Sequence, residues 1–238
     1  MTQQTNNKVN NPGGILIDPL MTRPDHVAIV ALGHSSQSFI REQMGNGGMK
    51  KPFDEVWTVN RGLRAFPHDK LFLMDDLRWI EQERSKEYAE FLKNHDKPII
   101  TSTPYIEYPM SVEYPFAQVM DFIEDDVFAV NTVSYAVAYA MSIGVKEISL
   151  YGADFVYANK NTAEAGGMAV AYLLGLCRMH NIVHRLPGET TMLYADTVRH
   201  KANGTMGRPL YGYHRIDEMK KKKQLEEHRK QIQQQGLK

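Results

Sequence analysis

Cysteine is nearly absent from this sequence, and neither sign of charge is in excess. The 238 residues include one cysteine, Cys177, which excludes a disulfide framework and a multi-cysteine zinc site. Its apolar helical surroundings predict a core residue. Lysine and arginine total 28, and so do aspartate and glutamate. This balance excludes a generally basic nucleic-acid coat protein and a strongly acidic mimic.

Long apolar runs are also missing. No stretch approaches 18 consecutive apolar residues, so no membrane-spanning helix is predicted. Residues 1–8 contain no apolar segment, and a secretory signal is therefore not expected. Together with the low cysteine content, this predicts a cytoplasmic protein.

Several familiar chemical motifs are absent as well. There is no G-x-S-x-G elbow of a serine hydrolase, and neither the dinucleotide fingerprint nor the P-loop pattern occurs. His180 and His184 are four residues apart, but the β-branched residues between them predict a strand, so the two rings do not share a helix face. No Asp-x-Asp occurs, and a bound metal is not predicted.

The sequence does contain an alternation of buried-strand and helical patterns. Strands are predicted at 26–32, 55–60, 70–74, 98–101, 126–130, 147–151 and 182–186. Helices are predicted from Ser36 and over 76–94, 133–143 and 163–180. The segment 105–121 is predicted to be an aromatic loop. This loop either borders a ligand site or packs on its own tyrosines. This order predicts an α/β, Rossmann-like fold with a mostly parallel sheet covered by helices on both faces.

The predicted organisation has three parts. Residues 1–23 form a flexible arm, 24–210 form a Rossmann-like domain, and 211–238 form a polar, basic helical tail. Between 215 and 230 there are seven basic and four acidic residues, including the run Lys220–Lys223. The tail is either a solvent-exposed helix or a segment that attracts a polyanion, such as DNA or an anionic glycan, by its positive charge.

Small, hydroxyl and amide side chains follow the predicted strands. Ligands of open parallel sheets bind at these carboxyl ends, and such residues suit a nucleotide pocket. The loop Gly33–Ser36 either approaches a phosphate or only caps a helix. The glycines at 45–48 favour a helix end. The strand-end residues are Gly33, His34, Ser35, Ser36, Asn60, Arg61, Asp75, Asp76, Asn131, Thr132, Ser134, Gly152, Ala153 and Asp154.

The segment 131–155 resembles the second half of bacterial sialyltransferases that use a CMP-sugar. It is also similar to flagellin motility accessory glycosyltransferases and hydroxymethylpterin pyrophosphokinase-like proteins. The shared features are a Ser/Thr-rich helix start, the turn Ile143-Gly-Val-Lys-Glu-Ile148 and the ending Gly152-Ala-Asp-Phe155. A looser likeness covers 26–193, where 164–187 resembles phage-type relatives.

The resemblance implies a site for a nucleotide-activated sugar of CMP or UDP type, which is a substrate and not a cofactor. The resemblance implies that the loop after the first strand faces the donor phosphates. It also implies that Asn60 contacts the ribose or a phosphate. Thr132 and Ser134 would line the nucleoside site, and Tyr151 and Tyr157 are candidates to stabilise the leaving phosphate. The implied donor-binding residues are Gly33, His34, Ser35, Ser36, Asn60, Thr132, Ser134, Tyr151 and Gly152. The implied catalytic residues are Glu164, Asp154 and Tyr157.

The chain departs from those sialyltransferases at two places. Their first loop has Gly-Asn-Gly-Pro-Ser, and this chain has Gly33-His-Ser-Ser-Gln37. Their general-base histidine has no counterpart in 159–164. Glu164 is the substitute candidate, because a carboxylate can accept a hydroxyl proton. The alternative is that Glu164 only forms a capping box with Asn161.

The predicted function is therefore metal-independent transfer of a sugar to a hydroxyl acceptor. A nucleotide pyrophosphokinase on the same scaffold is one alternative, with Asp75, Asp76 and Asp154 as the available magnesium ligands. A non-catalytic nucleotide-binding assembly protein is another. No membrane partner is expected, and a homo-oligomer is an open alternative.

Overall fold

The computed structural model describes residues 22–45, 53–156, 158–193 and 222–228. The chain divides into two units, Met1–Leu193 and Tyr194–Lys238. The predicted arm up to residue 21 and the predicted boundary at 210 lie outside the described residues. Within the second unit, 222–228 form a helix whose residues are all exposed.

The first unit is built on one seven-stranded sheet in which every pair of neighbouring strands is parallel. The order across the sheet is β5-β4-β3-β2-β1-β6-β7. This confirms the predicted α/β, Rossmann-like fold. The strands are β1 His26–Val30, β2 Glu55–Val59, β3 Lys70–Phe72, β4 Ile99–Thr101, β5 Ser111–Glu113, β6 Glu147–Tyr151 and β7 Val183–Arg185.

Helices cover both faces of the sheet, as predicted. On one face α4, α5 and α6 enclose the main core, in which Trp57, Phe72 and Tyr139 pack together. On the other face α1 covers the centre of the sheet, and α2 and α3 cover β3 and β4. The α-helices are α1 Ser36–Gly45, α2 Leu77–Trp79, α3 Lys86–Lys93, α4 Phe116–Ile123, α5 Thr132–Ser142 and α6 Lys160–Met179.

The central strands are apolar on both sides because both of their faces are covered. Val27, Ala28, Ile29 and Val30 of β1 have no exposed surface. Cys177 of α6 is likewise buried, and burial raises the pKa of its thiol to about 12. Within the described ranges, no helix is both long and apolar enough to cross a membrane.

Two sequence-based assignments were wrong. Asp126–Val130 is a 3-10 helix and not a strand, because the Asp125 side chain accepts a hydrogen bond from the amide of Val127 (2.9 Å) and turns the chain. The segment 105–121 is not one loop, since it contains β5 and the first six residues of α4. A strand of three residues at the sheet edge is too short to show an alternating pattern.

A histidine pair at the amino-terminal side of β3 and β4 predicts a pH dependence of stability. His68 Nδ1 donates to the carbonyl of Phe66 (2.9 Å), and the Nε2 atoms of His68 and His95 are 3.0 Å apart. Burial, and then the charge of His68, lower the pKa of His95. The His95 imidazole is therefore protonated at a higher pH in the unfolded chain than in the folded chain. As a result, the free energy of unfolding decreases as the pH falls below about 6.5.

We expect His95→Gln to reduce the loss of unfolding free energy between pH 7.5 and 5.5, measured by urea denaturation. His228→Gln is the matched control, because His228 is exposed on the second unit. An unchanged pH dependence in His95→Gln would contradict the assignment.

Candidate functional site

The sheet reverses its order between β1 and β6, and this fixes the place of the site. The chain runs from β1 outward to β5 and then returns to place β6 beside β1. In open α/β sheets, ligands bind outside the carboxyl ends of the strands at such a switch point. Here the two loops touch, because the amide of Gly33 donates to the carbonyl of Gly152 (2.8 Å).

Both residues in this contact must be glycine. Gly152 has a φ of +68°, and a Cβ there would lie 2.1 Å from the carbonyl oxygen of Ala31. A Cβ on Gly33 would lie 2.4 Å from both the carbonyl oxygen of Gly152 and Oδ2 of Asp154. The chain thus brings two strand ends together more closely than any side chain would permit.

The Asp154 carboxylate holds the first loop in place. Its Oδ2 accepts from the amide of Ser35 (2.8 Å), and its Oδ1 accepts from the hydroxyl of Thr190 (3.0 Å). The Ser35 hydroxyl accepts in turn from the amide of Gly152 (2.9 Å). Asp154 is only 5% exposed, so its contacts are those of a buried anchor for the loop.

His34 joins this anchor to the segment after β7. Its Nδ1 lies 3.2 Å from Oδ2 of Asp154, and its Nε2 lies 2.6 Å from the carbonyl oxygen of Glu189. The Glu189 carboxylate bonds the side chains of Ser38 and Arg41 on α1. The hydrogen bond from Ser38 lowers the pKa of Glu189. The residues after β7 are therefore fastened to both loops of the switch point.

A cavity of about 520 Å³ opens at this point. Most of its wall is apolar, and a few polar groups converge on it, as is usual for pockets that bind organic ligands. Among the predicted site residues, it brings together Gly33, His34, Asn60, Gly152 and Asp154. The remaining lining residues in the described part are Ala31, Leu32, Val59, Val133, Phe155 and Val156.

Asn60 links three elements at the edge of the cavity. It has a positive φ of 52°, which turns the chain directly after β2. Its Oδ1 accepts from the hydroxyl of Thr132 at the start of α5 (3.0 Å). Its carbonyl accepts from the hydroxyl of Tyr88 on α3 (3.0 Å). The side chain and backbone of Asn60 are thus held from two sides.

Other predicted residues lie away from the lining of this cavity. Ser134 is fully buried in a capping box with Asn131 at the start of α5. Ser36 is also buried, and its amide bonds the carbonyl of Gly33. Glu164 is exposed on α6. Tyr157 lies outside the described residues, so its role stays a prediction.

Tyr151 faces a second cavity, of about 600 Å³, on the opposite side of the sheet. Its hydroxyl donates to Glu42 (2.5 Å), and burial raises its pKa. Neighbouring polar side chains also pair with one another, such as His26 with Ser149 (2.9 Å). Although this cavity is larger, its lining includes His26 and Glu147 at the amino ends of β1 and β6 as well as residues after β7. The smaller cavity is the better candidate site because it lies where the loops after β1 and β6 meet.

The alternative role of Glu164 as a capping-box residue is wrong. Helix α6 begins at Lys160, and its N-cap is Asn159, whose side chain accepts from the amide of Thr162 (3.3 Å). Glu164 therefore lies beyond the capping position. Its predicted catalytic role stays a prediction.

Sequence reasoning missed the contribution of Thr190 and Thr191. The Thr191 hydroxyl donates to the carbonyl of Asp154 (2.5 Å), beside the bond from Thr190 to the carboxylate. Both threonines follow the last strand, so the strand-end rule applied to β7 could have found them. No three histidine, cysteine, aspartate or glutamate side chains form a metal-ligand group within the described ranges.

No protein-family model and no curated protein sequence matches this chain. Solved structures of the sialyltransferase CstII from Campylobacter jejuni are similar in fold. The complex with the substrate analogue CMP-3FNeuAc has 16% identity and a TM-score of 0.44, covering 77% of this chain and 85% of that one. The complex with cytidine-5'-monophosphate has 17% identity and a TM-score of 0.40, covering 73% and 83%. At this identity the likeness concerns the fold alone.

Because Gly33 is in close contact with Gly152 and Asp154, adding a single methyl group at Gly33 should strongly reduce the stability of the fold. We expect Gly33→Ala to lower the unfolding free energy by about 1–3 kcal/mol, because a buried carboxylate and a backbone carbonyl must move. Gly45→Ala, at the end of α1, is the matched control because a Cβ there meets nothing within 4 Å. Equal stability of the two variants in urea denaturation would contradict the packing described for the switch point.

Proposed function

We propose that this chain is a glycosyltransferase-like enzyme that transfers a sugar from a CMP- or UDP-type donor to a hydroxyl acceptor. The observation that carries the proposal is the cavity where the Gly33 and Gly152 loops touch at the switch point. The resemblance of 131–155 to CMP-sugar sialyltransferases favours the same function. The reaction is proposed to need no resident metal.

The cavity walls suit the parts of such a donor. Leu32, Val133 and Val156 offer apolar surface for a base or ribose. Asn60 offers an amide that is already oriented by Thr132. Gly33 and Gly152 contribute backbone and no side chain to the cavity wall. Asp154 acts in this proposal by positioning the loop, since its carboxylate is already bonded to Ser35 and Thr190.

The transfer breaks the bond between the anomeric carbon and the phosphate oxygen, and the electron pair stays on the phosphate. The acceptor hydroxyl oxygen bonds the anomeric carbon, and its proton passes to a base, for which Glu164 is proposed. Tyr157 is proposed to donate to the leaving phosphate, whereas the hydroxyl of Tyr151 is bonded to Glu42. In comparable sites, one hydrogen-bond donor to the developing negative charge lowers the activation free energy by about 2.7–4 kcal/mol.

The experiment is a thermal-shift panel of CMP-, UDP- and GDP-sugars with ATP, followed by a transfer assay with and without a chelator. A donor at 100 times its dissociation constant stabilises the fold by about 2.7 kcal/mol. We expect Glu164→Gln to lower turnover by about 10²–10⁴-fold and to leave binding nearly unchanged. Glu227→Gln, on the exposed helix of the second unit, is the charge-matched control.

Three other results would contradict all or part of the proposal. Binding of nucleotides without turnover of any sugar donor would contradict an enzyme and support a nucleotide-binding protein. Loss of sugar transfer with the chelator would contradict the proposal that the reaction needs no resident metal. No shift with any nucleotide would overturn the proposal altogether.

A polyanionic acceptor, such as DNA or an anionic glycan, is proposed to approach along Lys220–Lys223. Lys222 and Lys223 are exposed on the helix at 222–228, and the other two lysines lie outside the described residues. Replacing all four by glutamine should weaken binding to DNA or heparin, most strongly at low salt, without changing donor binding. Polyanion binding equal to that of the unchanged chain would show that the lysines are only solvated surface.

A further inference from the structure

A smaller hollow adjoins the switch-point cavity. Its volume is about 230 Å³, and it shares Leu32 and Asn60 with the larger cavity. Leu73, Ile80 and Tyr88 give it an apolar side. Arg61 and Asp75 complete its lining in the described part of the chain. A ligand that reaches Asn60 from the larger cavity would meet these two charged residues.

Tyr88 holds Arg61 at this wall. The guanidinium carbon of Arg61 lies 5.3 Å from the centre of the Tyr88 ring, within the range of a cation–π interaction. The ring itself is buried, and its hydroxyl is fixed by the bond to the carbonyl of Asn60. Burial raises the pKa of Tyr88, which keeps the phenol neutral. The arginine therefore lies on a rigid support beside the cavity.

Several other arginines of the described residues form ion pairs with carboxylates. Arg64 faces the same Tyr88 ring at 5.9 Å, but its guanidinium pairs with Glu87 at 2.7 Å. Arg41 pairs with Glu189 (2.7 Å), and Arg78 pairs with Glu107 (3.0 Å). Arg61 forms no ion pair within the described ranges. It is also the only lysine or arginine there that lines either cavity.

We propose that the hollow beside Arg61 binds the anionic group of the donor, through the paired N–H groups of the guanidinium. Phosphate and carboxylate share the geometry that this fork recognises. The inference rests on the proposed function, because it places the charged group of the sugar donor in the hollow while the rest of the donor occupies the switch-point cavity.

The electrostatics of the two cavities favour this assignment. Each cavity contains one carboxylate: that of Asp154 in the switch-point cavity, beside the ring of His34, and that of Asp75 in the hollow. Of these two cavities, only the hollow also contains a permanently charged guanidinium among the described residues, that of Arg61. An anionic ligand group therefore finds its fixed positive partner at Arg61.

The test compares Arg61→Met with Arg64→Met as the matched control. Arg64 lies in the same turn as Arg61 and faces the same Tyr88 ring, but it lines neither cavity. Binding is measured by calorimetry with four probes: cytidine, CMP, CMP-N-acetylneuraminic acid and pyrophosphate. Thermal melting of both variants establishes that they are folded.

Two results support the inference and identify the source of the anionic group. If the group is the phosphate, Arg61→Met weakens CMP binding by roughly tenfold or more and leaves cytidine unchanged. If it is a sugar carboxylate, CMP is unchanged and CMP-N-acetylneuraminic acid is weakened by a similar factor. Equal binding of all probes by Arg61→Met and the unchanged chain would overturn the inference. An equal loss in Arg64→Met would also overturn it.

The probes separate this inference from the proposed function. If the unchanged chain binds pyrophosphate through Arg61 but binds no nucleotide, the proposed function fails and the anion site stands. If it binds nucleotides with no contribution from Arg61, the proposed function stands and the inference fails. If it binds none of the four probes and no sugar nucleotide of the thermal-shift panel, both fail.

Discussion

The contact between the loops after β1 and β6 is the constraint on which the rest of the candidate site depends. Two glycines allow backbone to meet backbone there, at a distance that a Cβ on either residue would prevent. The contact is then held by Asp154, which bonds the amide of Ser35 and the hydroxyl of Thr190. The cavity is open because these buried bonds, and no bulky side chains, join the strand ends.

Polar groups at this end of the sheet fall into two kinds. Asp154 and Ser35 are buried and satisfied by one another and their neighbours, so their contribution is to shape the loop. Asn60 and Arg61 lie at the surface of the cavities and are supported from behind by Tyr88. This division separates the groups that build the site from the groups available to a ligand.

The sequence allowed much of the sheet to be predicted, because central strands that are buried on both faces are continuously apolar, as 26–32 is. The strand-end rule then selected Gly33, Asn60 and Gly152, which the fold brings to one cavity. It could not separate Ser134, which caps a helix, from residues that line the cavity, because both uses favour small polar side chains. Tyr151 was expected to stabilise the leaving phosphate, but it lies within β6, and its side chain lines the second cavity instead.

The central claim is that a nucleotide binds at the switch point between β1 and β6. The most direct measurement is a titration of the ¹⁵N-labelled full chain with CMP, followed in amide correlation spectra. The account predicts that the largest shifts occur at the amides of Gly33, Asn60 and Gly152, while the amide of His184 on β7 is little affected. Largest shifts around Ser149 and Glu42, on the other face of the sheet, would contradict it.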